Sequence, residues 1–353
     1  MVKMSRTLKF TILGIILLAL AAPFIVPQNN YWMCILVSFC YFTILASSLN
    51  LLLGYTGQVS LGHAAFMCIG AYSYSIFTVN FKFPGSQIIG LLLGIIIPFL
   101  FGLLIGVACN RLSAIFLAMA TGAFAKGLKA FLMAERWLTG GSSGLTQIPK
   151  MTLFDMNKLS STQYNKILYF FALAAAACIV LMCWRLVNSK TGRALQAIKT
   201  SPIAAAAMGI NVTWYKFLVC GISAAMAGVA GVFYAWNLSY ISPDMFDKMG
   251  VKLLTMAVAG GMGTIPGPVI GAVVMGYMPE LLRGFGTHLE TVYGLMIILI
   301  FLFVPTGLYG GFRTLLNWLK SKIFKGAVVE TEAPADALPT DSVASGAQTK
   351  EVE

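Results

Sequence analysis

The chain has 353 residues, of which 58% are hydrophobic and only 10% are charged, and its formal net charge is +12. A soluble globular domain carries about 25% charged residues, so this composition excludes that class. The apolar residues fall into repeated runs close to the ~20 residues that cross a bilayer as a helix. They lack the short alternating segments of a membrane barrel. We therefore predict an all-α polytopic membrane protein.

About ten transmembrane helices are predicted, some of them short or broken at glycine-rich loops. The predicted spans, in chain order, are 10–26, 31–53, 61–81, 88–108, 114–134, 167–187, 217–235, 251–262, 268–282 and 291–305. Residues 1–325 are predicted to form one transmembrane domain. Residues 326–353 are acidic and rich in Ala, Ser, Thr and Pro, and we expect them to form a disordered cytoplasmic tail.

The beginning of the chain has two interpretations. Lys3, Arg6 and Lys9 followed by an apolar run are typical of a cleavable signal peptide, but the run continues to Val26 and favours an uncleaved span. Lys and Arg are more frequent in the loops that share a side with the N-terminus than in the opposite loops, which predicts that both termini are cytoplasmic. Because the basic residues lie in loops between spans, the net charge does not indicate a nucleic-acid partner.

The polar segment 188–216 separates two apolar spans and contains basic but no acidic residues. Within it, Ser201 is a candidate N-cap, Pro202 suits the first helical position, and Gly209 can supply a left-handed stop. Isolated helices below ~12 residues are marginal in water, so the short apolar helix between these caps needs a surface to lie on. Docking into a soluble partner and packing on its own protein both remain open.

Glycine-rich sequence interrupts apolar segments once in each half of the chain, at 54–62 (GYTGQVSLG) and at 260–268 (GGMGTIPGP). Broken helices at membrane depth are tolerated where they are buried in protein or line a watery cavity, and they mark transport pathways. We favour a pathway or gate over close helix packing for both segments. The candidate residues are Gly54, Gly57, Gln58, Ser60, His63, Gly260, Gly261 and Gly263. In the seventh span, glycines such as Gly221 and Gly231 are instead predicted to serve packing.

Signals of catalysis are poor. The chain has two histidines, no GxxxxGK[ST] phosphate loop and no Cys/His/carboxylate cluster with metal-ligand spacing. We therefore predict no catalytic residue and no metal site, and we interpret His63 as a hydrogen-bonded packing residue. Lys126 and Lys129 share a helix face within the fifth span. Outward snorkelling is favoured for both; the alternative is that Lys126 attracts an anionic group into a transport path.

Residues 50–66 (NLLLGYTGQVSLGHAAF) resemble the signature of the branched-chain amino-acid permease family of bacterial ABC importers, and they resemble its LivM-type subunit more than its LivH-type subunit. Further segments match in the same order along the chain. They are 138–145 (LTGGSSGL), 192–198 (GRALQAI), 204–216 (AAAAMGINVTWYK) and 260–271 (GGMGTIPGPVIG). Any one of these glycine motifs is weak, but together they span almost all of the folded part of the chain.

The resemblance implies the ABC importer permease fold and import of leucine, isoleucine and valine, with urea, short amides or other amino acids as alternatives. It implies a bacterial inner-membrane location and, as partners, a LivH-type second permease subunit, two ATP-binding subunits and a periplasmic substrate-binding protein. ATP would be bound by those partners, so this chain would be no enzyme and would need no cofactor. An ion-coupled secondary transporter is the runner-up, but the spans are nearly bare of the carboxylates that such coupling uses.

The resemblance also implies that the short capped helix is the coupling helix, which lies in a groove of the ATP-binding subunit. Its residues are Pro202, Ile203, Ala204, Ala205, Ala206, Ala207, Met208 and Gly209. The sequence departs from the family at Ala206, where an acidic residue is usual, and at Pro202, where a polar or acidic one is frequent. Lys126 stands where relatives tend to have glutamate. Shape and apolar contact would therefore contribute more to docking here than an ion pair.

Overall fold

A computed structural model describes residues 19–25, 29–81, 83, 85–109, 112, 114–151, 160–247, 249–303, 307–311 and 314. The described residues from 19 to 311 belong to one compact unit, and Thr314 is the described residue of a second unit. Most of the predicted first span (10–26), the alternative signal peptide and the predicted tail (326–353) lie outside the described residues. Residues 19–25 are helical.

The described part of the chain is a series of helices. In chain order they are α1 Asn30–Thr56, α2 His63–Asn80, α3 Ser86–Cys109, α4 Ala114–Ala134, α5 Arg136–Thr139, α6 Ser161–Val187, α7 Lys190–Thr200, α8 Pro202–Ala207, α9 Val212–Leu238, α10 Pro243–Asp247, α11 Met249–Gly261, α12 Pro266–Leu281 and α13 Leu289–Phe303. Short 3-10 helices occupy Gly141–Ser143 and Leu282–His288. The described residues contain no strand, and a single antiparallel bridge joins Leu145 to Ile241.

The all-α membrane architecture is confirmed. Each predicted span from the second to the tenth has a corresponding helix, and 5 helices are long and apolar enough to cross a membrane. The eighth and ninth spans are short, as predicted. Helix α6 begins several residues before its predicted start because a capping box forms there, in which the Ser160 backbone N–H donates to the Gln163 side chain at 3.2 Å.

Helix α9 is central and packs against α1, α2 and α3. Glycines allow this close approach: a Cβ on Gly70 of α2 would lie 2.5 Å from the Cα of Gly228. A Cβ on Gly231 would meet the backbone carbonyl of Met67. Small residues at helix crossings are how membrane helices pack without a hydrophobic driving force between them. The packing role predicted for glycines of the seventh span is therefore confirmed.

The segments that connect the helices lie at two ends of the bundle, and contacts among them show which segments share an end. At one end, the Nζ of Lys199 donates to the carbonyl oxygen of Gly54 at 2.7 Å. At the other end, the Leu145–Ile241 bridge joins the loop after α5 to the segment after α9. The predicted spans place these segments at the same two ends of the bundle.

Candidate functional site

The short helix predicted inside segment 188–216 is present as α8, Pro202–Ala207, with Pro202 in its first turn. The Ser201 side chain accepts a hydrogen bond from the Ala204 N–H at 3.2 Å. A side-chain oxygen at the N-cap satisfies one of the backbone donors that a helix start leaves unpaired. The predicted N-cap is therefore confirmed.

The end of α8 is a left-handed glycine cap, as predicted. Gly209 has φ of +80°, and its N–H donates to the Ala206 carbonyl at 3.0 Å. The Ile210 N–H donates to the Ala205 carbonyl at 3.1 Å. This pair of bonds is the Schellman motif, which satisfies the last carbonyls of the helix and fixes the direction in which the chain leaves.

One side of α8 lies on the protein and the rest is exposed. Ala205 is only 3% exposed, whereas Ile203 and Met208 are 84% and 83% exposed. Ala205 is therefore not part of any outward docking face. The remaining members of the predicted coupling helix are exposed: Pro202, Ile203, Ala204, Ala206, Ala207, Met208 and Gly209.

Helix α7, immediately before α8, lies where the sequence predicts only a polar loop. Its buried face is made by Ala194, Leu195 and Ile198, and Ser189 caps its start by accepting from the Gly192 N–H at 3.4 Å. The Ser cap followed by apolar residues at i, i+1 and i+4 was the signal that could have revealed it. The polar segment is thus two consecutive helices joined through Ser201.

The two glycine-rich segments, one from each half of the chain, touch each other. A Cβ on Gly54 would lie 2.6 Å from the backbone N of Gly263. Asn50, one turn before Gly54, is buried and holds the second segment: its Nδ2 donates to the Thr264 carbonyl at 2.8 Å, and its Oδ1 accepts from the Gly263 N–H at 2.9 Å. Asn50 was not among the predicted site residues, although a single amide inside the run Leu49–Leu53 was a visible signal.

Residues 57–62 connect α1 to α2 without a regular helix; Gln58, Ser60 and Gly62 are buried, whereas Leu61 is exposed. The side chains of Gln58, Ser60 and His63 are buried, and we call these three residues the polar seam. The His63 Nε2 lies 2.8 Å from the Ser48 Oγ, which agrees with a hydrogen-bonded packing residue. Within the described part of the chain, the Gln58 Nε2, the Ser60 Oγ and the His63 Nδ1 have no hydrogen-bond partner. An ordered water or an ion can complete the bonds of buried polar atoms of this kind.

The other predicted glycines have structural tasks in this arrangement. Gly57 has φ of +72° and ends α1. Gly261 has φ of +121°, and a Cβ on Gly260 would lie 3.0 Å from the Cα of Gly271, so α11 and α12 approach closely. Gly260 and Gly261 therefore shape the break between α11 and α12, at the same end of the bundle as Gly54.

Lys126 is not brought together with the glycine segments. Its Nζ lies 2.5 Å from the Asp247 Oδ1, and its side chain is 69% exposed. Lys129 pairs with Asp247 at 3.0 Å and with Asp244 at 2.7 Å. Hydrogen bonds from Lys126 and then from Lys129 hold the pKa of the Asp247 carboxyl below its usual range. The two lysines thus join α4 to α10 by exposed ion pairs.

Comparisons with known proteins give a consistent result. The family model described as "Branched-chain amino acid transport system / permease component" matches residues 32–304. The high-affinity branched-chain amino acid transport system permease protein LivM of Salmonella typhimurium is 29% identical over 338 residues, which is 90% of this chain and 78% of that protein. The LivM protein of Escherichia coli K12 is 28% identical over 341 residues, with the same shares of the two chains.

A shorter match extends to the LivH permease protein of Escherichia coli K12, which is 36% identical over 124 residues, or 35% of this chain and 40% of that protein. No solved structure matches the chain at a significant level. The family model covers more than half of the sequence, and the two LivM proteins match over 90% of the chain. This multi-pass membrane protein therefore belongs to the branched-chain amino acid transport system permease family, as a LivM-type permease.

Proposed function

We infer that the protein is a membrane-spanning subunit of an ATP-driven importer of branched-chain amino acids. Its relatives are permease proteins of high-affinity branched-chain amino acid transport systems, and this supports leucine, isoleucine and valine as cargo. The observation that carries the ATP-driven mechanism is α8, a short helix capped at both ends whose large apolar side chains are exposed. A helix of this kind is suited to lie in the groove of a partner.

In this mechanism α8 is the coupling helix. An ATP-binding subunit holds it, and closure of two such subunits on ATP shifts the permease between states that open to opposite sides of the membrane. ATP is bound and hydrolysed by these partners. A LivH-type permease supplies the other half of the pathway, and a periplasmic binding protein delivers the amino acid. The end of the bundle that carries α8 then faces the cytoplasm of a bacterial inner membrane, with both termini on that side.

The chemistry of α8 indicates that docking is mainly apolar. Segment Pro202–Ala207 contains no charged residue, so an ion pair from the helix itself is excluded. Burial of an Ile or Met side chain stabilises an interface by about 1.5–3 kcal/mol relative to leaving it exposed. Ile203 and Met208 therefore supply most of the contact free energy that this helix offers, and Ala205 anchors it to the permease from the other side.

The proposed function can be tested by placing a charged side chain on the exposed face of α8. Ile203→Asp and Met208→Asp are expected to insert and fold normally, because both side chains are exposed in the isolated subunit. Burying an unpaired carboxylate in an apolar groove costs several kcal/mol, so leucine uptake in the assembled complex should fall by about tenfold or more. ATP hydrolysis should lose its stimulation by the binding protein. The measurement is uptake and ATPase activity in proteoliposomes.

Ile203→Leu and Met208→Leu are the matched controls, since they keep apolar side chains at the same positions. Both should retain uptake and stimulated hydrolysis. Aspartate variants that behave like these leucine controls would show that α8 does not dock to the ATP-binding subunit.

We further propose that the polar seam lies along the transport path, which is supported by its buried polar atoms without a partner among the described residues.

We propose that Lys126 does not lie along this path. The ammonium of Lys126 is already matched by Asp247, and Lys129 would still pair with that carboxylate in its absence. Exposed ion pairs contribute about 0–1 kcal/mol, so Lys126→Gln should leave the stability and leucine uptake close to those of the parent. A strong loss of uptake, with unchanged leucine affinity of the isolated binding protein, would instead assign Lys126 to the path.

A further inference from the structure

Helix α7 is one element through which a displacement of α8 would enter the membrane domain. The two helices are separated only by Ser201, which is the C-cap of α7 and the N-cap of α8. Leu195 and Ile198 are fully buried and hold α7 against the bundle, where it packs on α1, α6 and α9. Packed helices move as rigid bodies, so a force on α8 is passed to α7 and onward along its contacts.

The last turn of α7 is bonded to the last turns of α1. The Lys199 Nζ donates to the Gly54 carbonyl oxygen at 2.7 Å. The Gly54 carbonyl is one of the last carbonyls of α1, and these have no N–H donor within the helix. A cation at this end of a helix also interacts favourably with the helix dipole. The bond is charge-assisted, which makes it about twice as strong as a bond between neutral groups.

One turn earlier on α1, Asn50 holds the glycine segment that separates α11 from α12. Its amide uses both ends: the NH₂ donates to the Thr264 carbonyl and the oxygen accepts from the Gly263 N–H. Only one orientation of the amide satisfies both bonds. Gly263 itself has φ of +72°, and its backbone nitrogen fits against α1 only because residue 54 has no side chain.

A small crevice adjoins this arrangement. It lies between α1, α6 and the start of α12, and it is lined by Ser47, Asn50, Tyr55, Cys183 and Ile265 among others. The Ser47 Oγ in its wall is buried, and the described residues offer it no hydrogen-bond partner. The Asn50 side chain therefore lines this crevice as well as joining two segments of the bundle.

We propose that Lys199 and Asn50 are positioning residues that form a relay from the coupling helix to the glycine break between α11 and α12. Lys199 joins the end of α7 to the Gly54 carbonyl of α1. Asn50, also on α1, joins that helix to Gly263 and Thr264. A shift of α8 thereby moves the two glycine-rich segments together. This relay rests on the proposed function, because it is the route by which docking of α8 controls the membrane path.

The test compares ATP hydrolysed with leucine imported in proteoliposomes that contain the assembled complex and the binding protein. Lys199→Met keeps the aliphatic stem but removes the donor to Gly54. Hydrolysis should continue while uptake falls, so the number of ATP molecules used per leucine should rise by about tenfold, the effect of losing one charge-assisted bond. Lys199→Arg keeps a cationic donor and should restore the ratio of the parent.

Lys190→Met is the matched control, because Lys190 is an exposed lysine at the start of the same helix. It removes the same charge from the same surface and should leave the ratio unchanged. Asn50→Leu provides a second arm: it removes both bonds to the glycine segment at nearly constant volume and should raise the ratio as Lys199→Met does.

The outcomes separate the relay from the function on which it rests. If Lys199→Met keeps the parental ratio while Ile203→Asp uncouples the complex, the relay is wrong and docking of α8 stands. Full coupling in Ile203→Asp would instead overturn the docking itself. Loss of folded protein in Lys199→Met would assign Lys199 a purely structural task, and this would also contradict the relay.

Discussion

Gly231→Ala is expected to prevent normal folding of the membrane domain. A Cβ at residue 231 would lie against the Met67 carbonyl and 2.8 Å from the Ala71 backbone nitrogen. Both are backbone atoms of α2, so the clash can be relieved only by separating α2 from α9. Overpacking costs about 1–3 kcal/mol and occasionally more, and a pair of central helices has little freedom to adjust. The measurement is the yield and thermal stability of the detergent-purified protein.

Gly127→Ala is the matched control for this variant. Gly127 is also helical, but apart from the nearby backbone of its own helix no described atom lies within 4 Å of the position of its Cβ. Alanine is a better helix former than glycine by about 1 kcal/mol, so this variant should be at least as stable as the parent. Equal stability of the two variants would show that α2 and α9 do not approach each other as described.

Gly209→Val is expected to reduce leucine uptake by about tenfold with little change in the amount of membrane-inserted protein. Gly209 has φ of +80°, and the space around its Cβ position is open among the residues that the structure describes. The effect of the substitution is therefore on the backbone alone. A left-handed conformation costs an ordinary side chain about 1–2 kcal/mol, and more for a β-branched one. Loss of the cap lets the end of α8 fray, and this changes the surface that α8 offers to the proposed ATP-binding subunit.

Gly209→Asn separates this cause from a direct contact with the partner. Asparagine adopts the left-handed conformation more readily than other residues with a side chain, so it should retain much of the uptake. Uptake in proteoliposomes would be compared for the two variants and the parent. Equal losses with Asn and Val would show that bulk at the docking surface, rather than the conformation of residue 209, determines the result.

Local patterns in the sequence predicted most of the secondary structure. Apolar runs placed the spans from the second to the tenth, and side-chain chemistry placed the caps of α8 at Ser201 and Gly209. The predicted helix boundaries were wrong where polar residues continue a helix beyond its apolar part, as in the first turns of α6. Helix α7 was missed because its apolar face is narrow and its basic residues dominate the composition of the segment.

The contacts that build the candidate site could not be read from the sequence. Asn50 and Gly263 are separated by 213 positions, and Lys126 and Asp247 by 121. Hydrophobic period and cap residues report on neighbours within a few turns, and they contain no information on which segments meet across the bundle. The glycine-rich segments were therefore identified one by one, while their contact and the part played by Asn50 emerged only from the folded chain.

Before assembly, Ile203 and Met208 remain exposed at the surface of every newly inserted copy. Exposed apolar side chains on a short helix favour nonspecific association as well as specific docking. Copies made in excess of the proposed ATP-binding partner would then be more prone to aggregation and to degradation, which would lower their steady-state amount. The supply of that partner, rather than the rate of synthesis of this chain, would then set how much of the permease accumulates in the membrane.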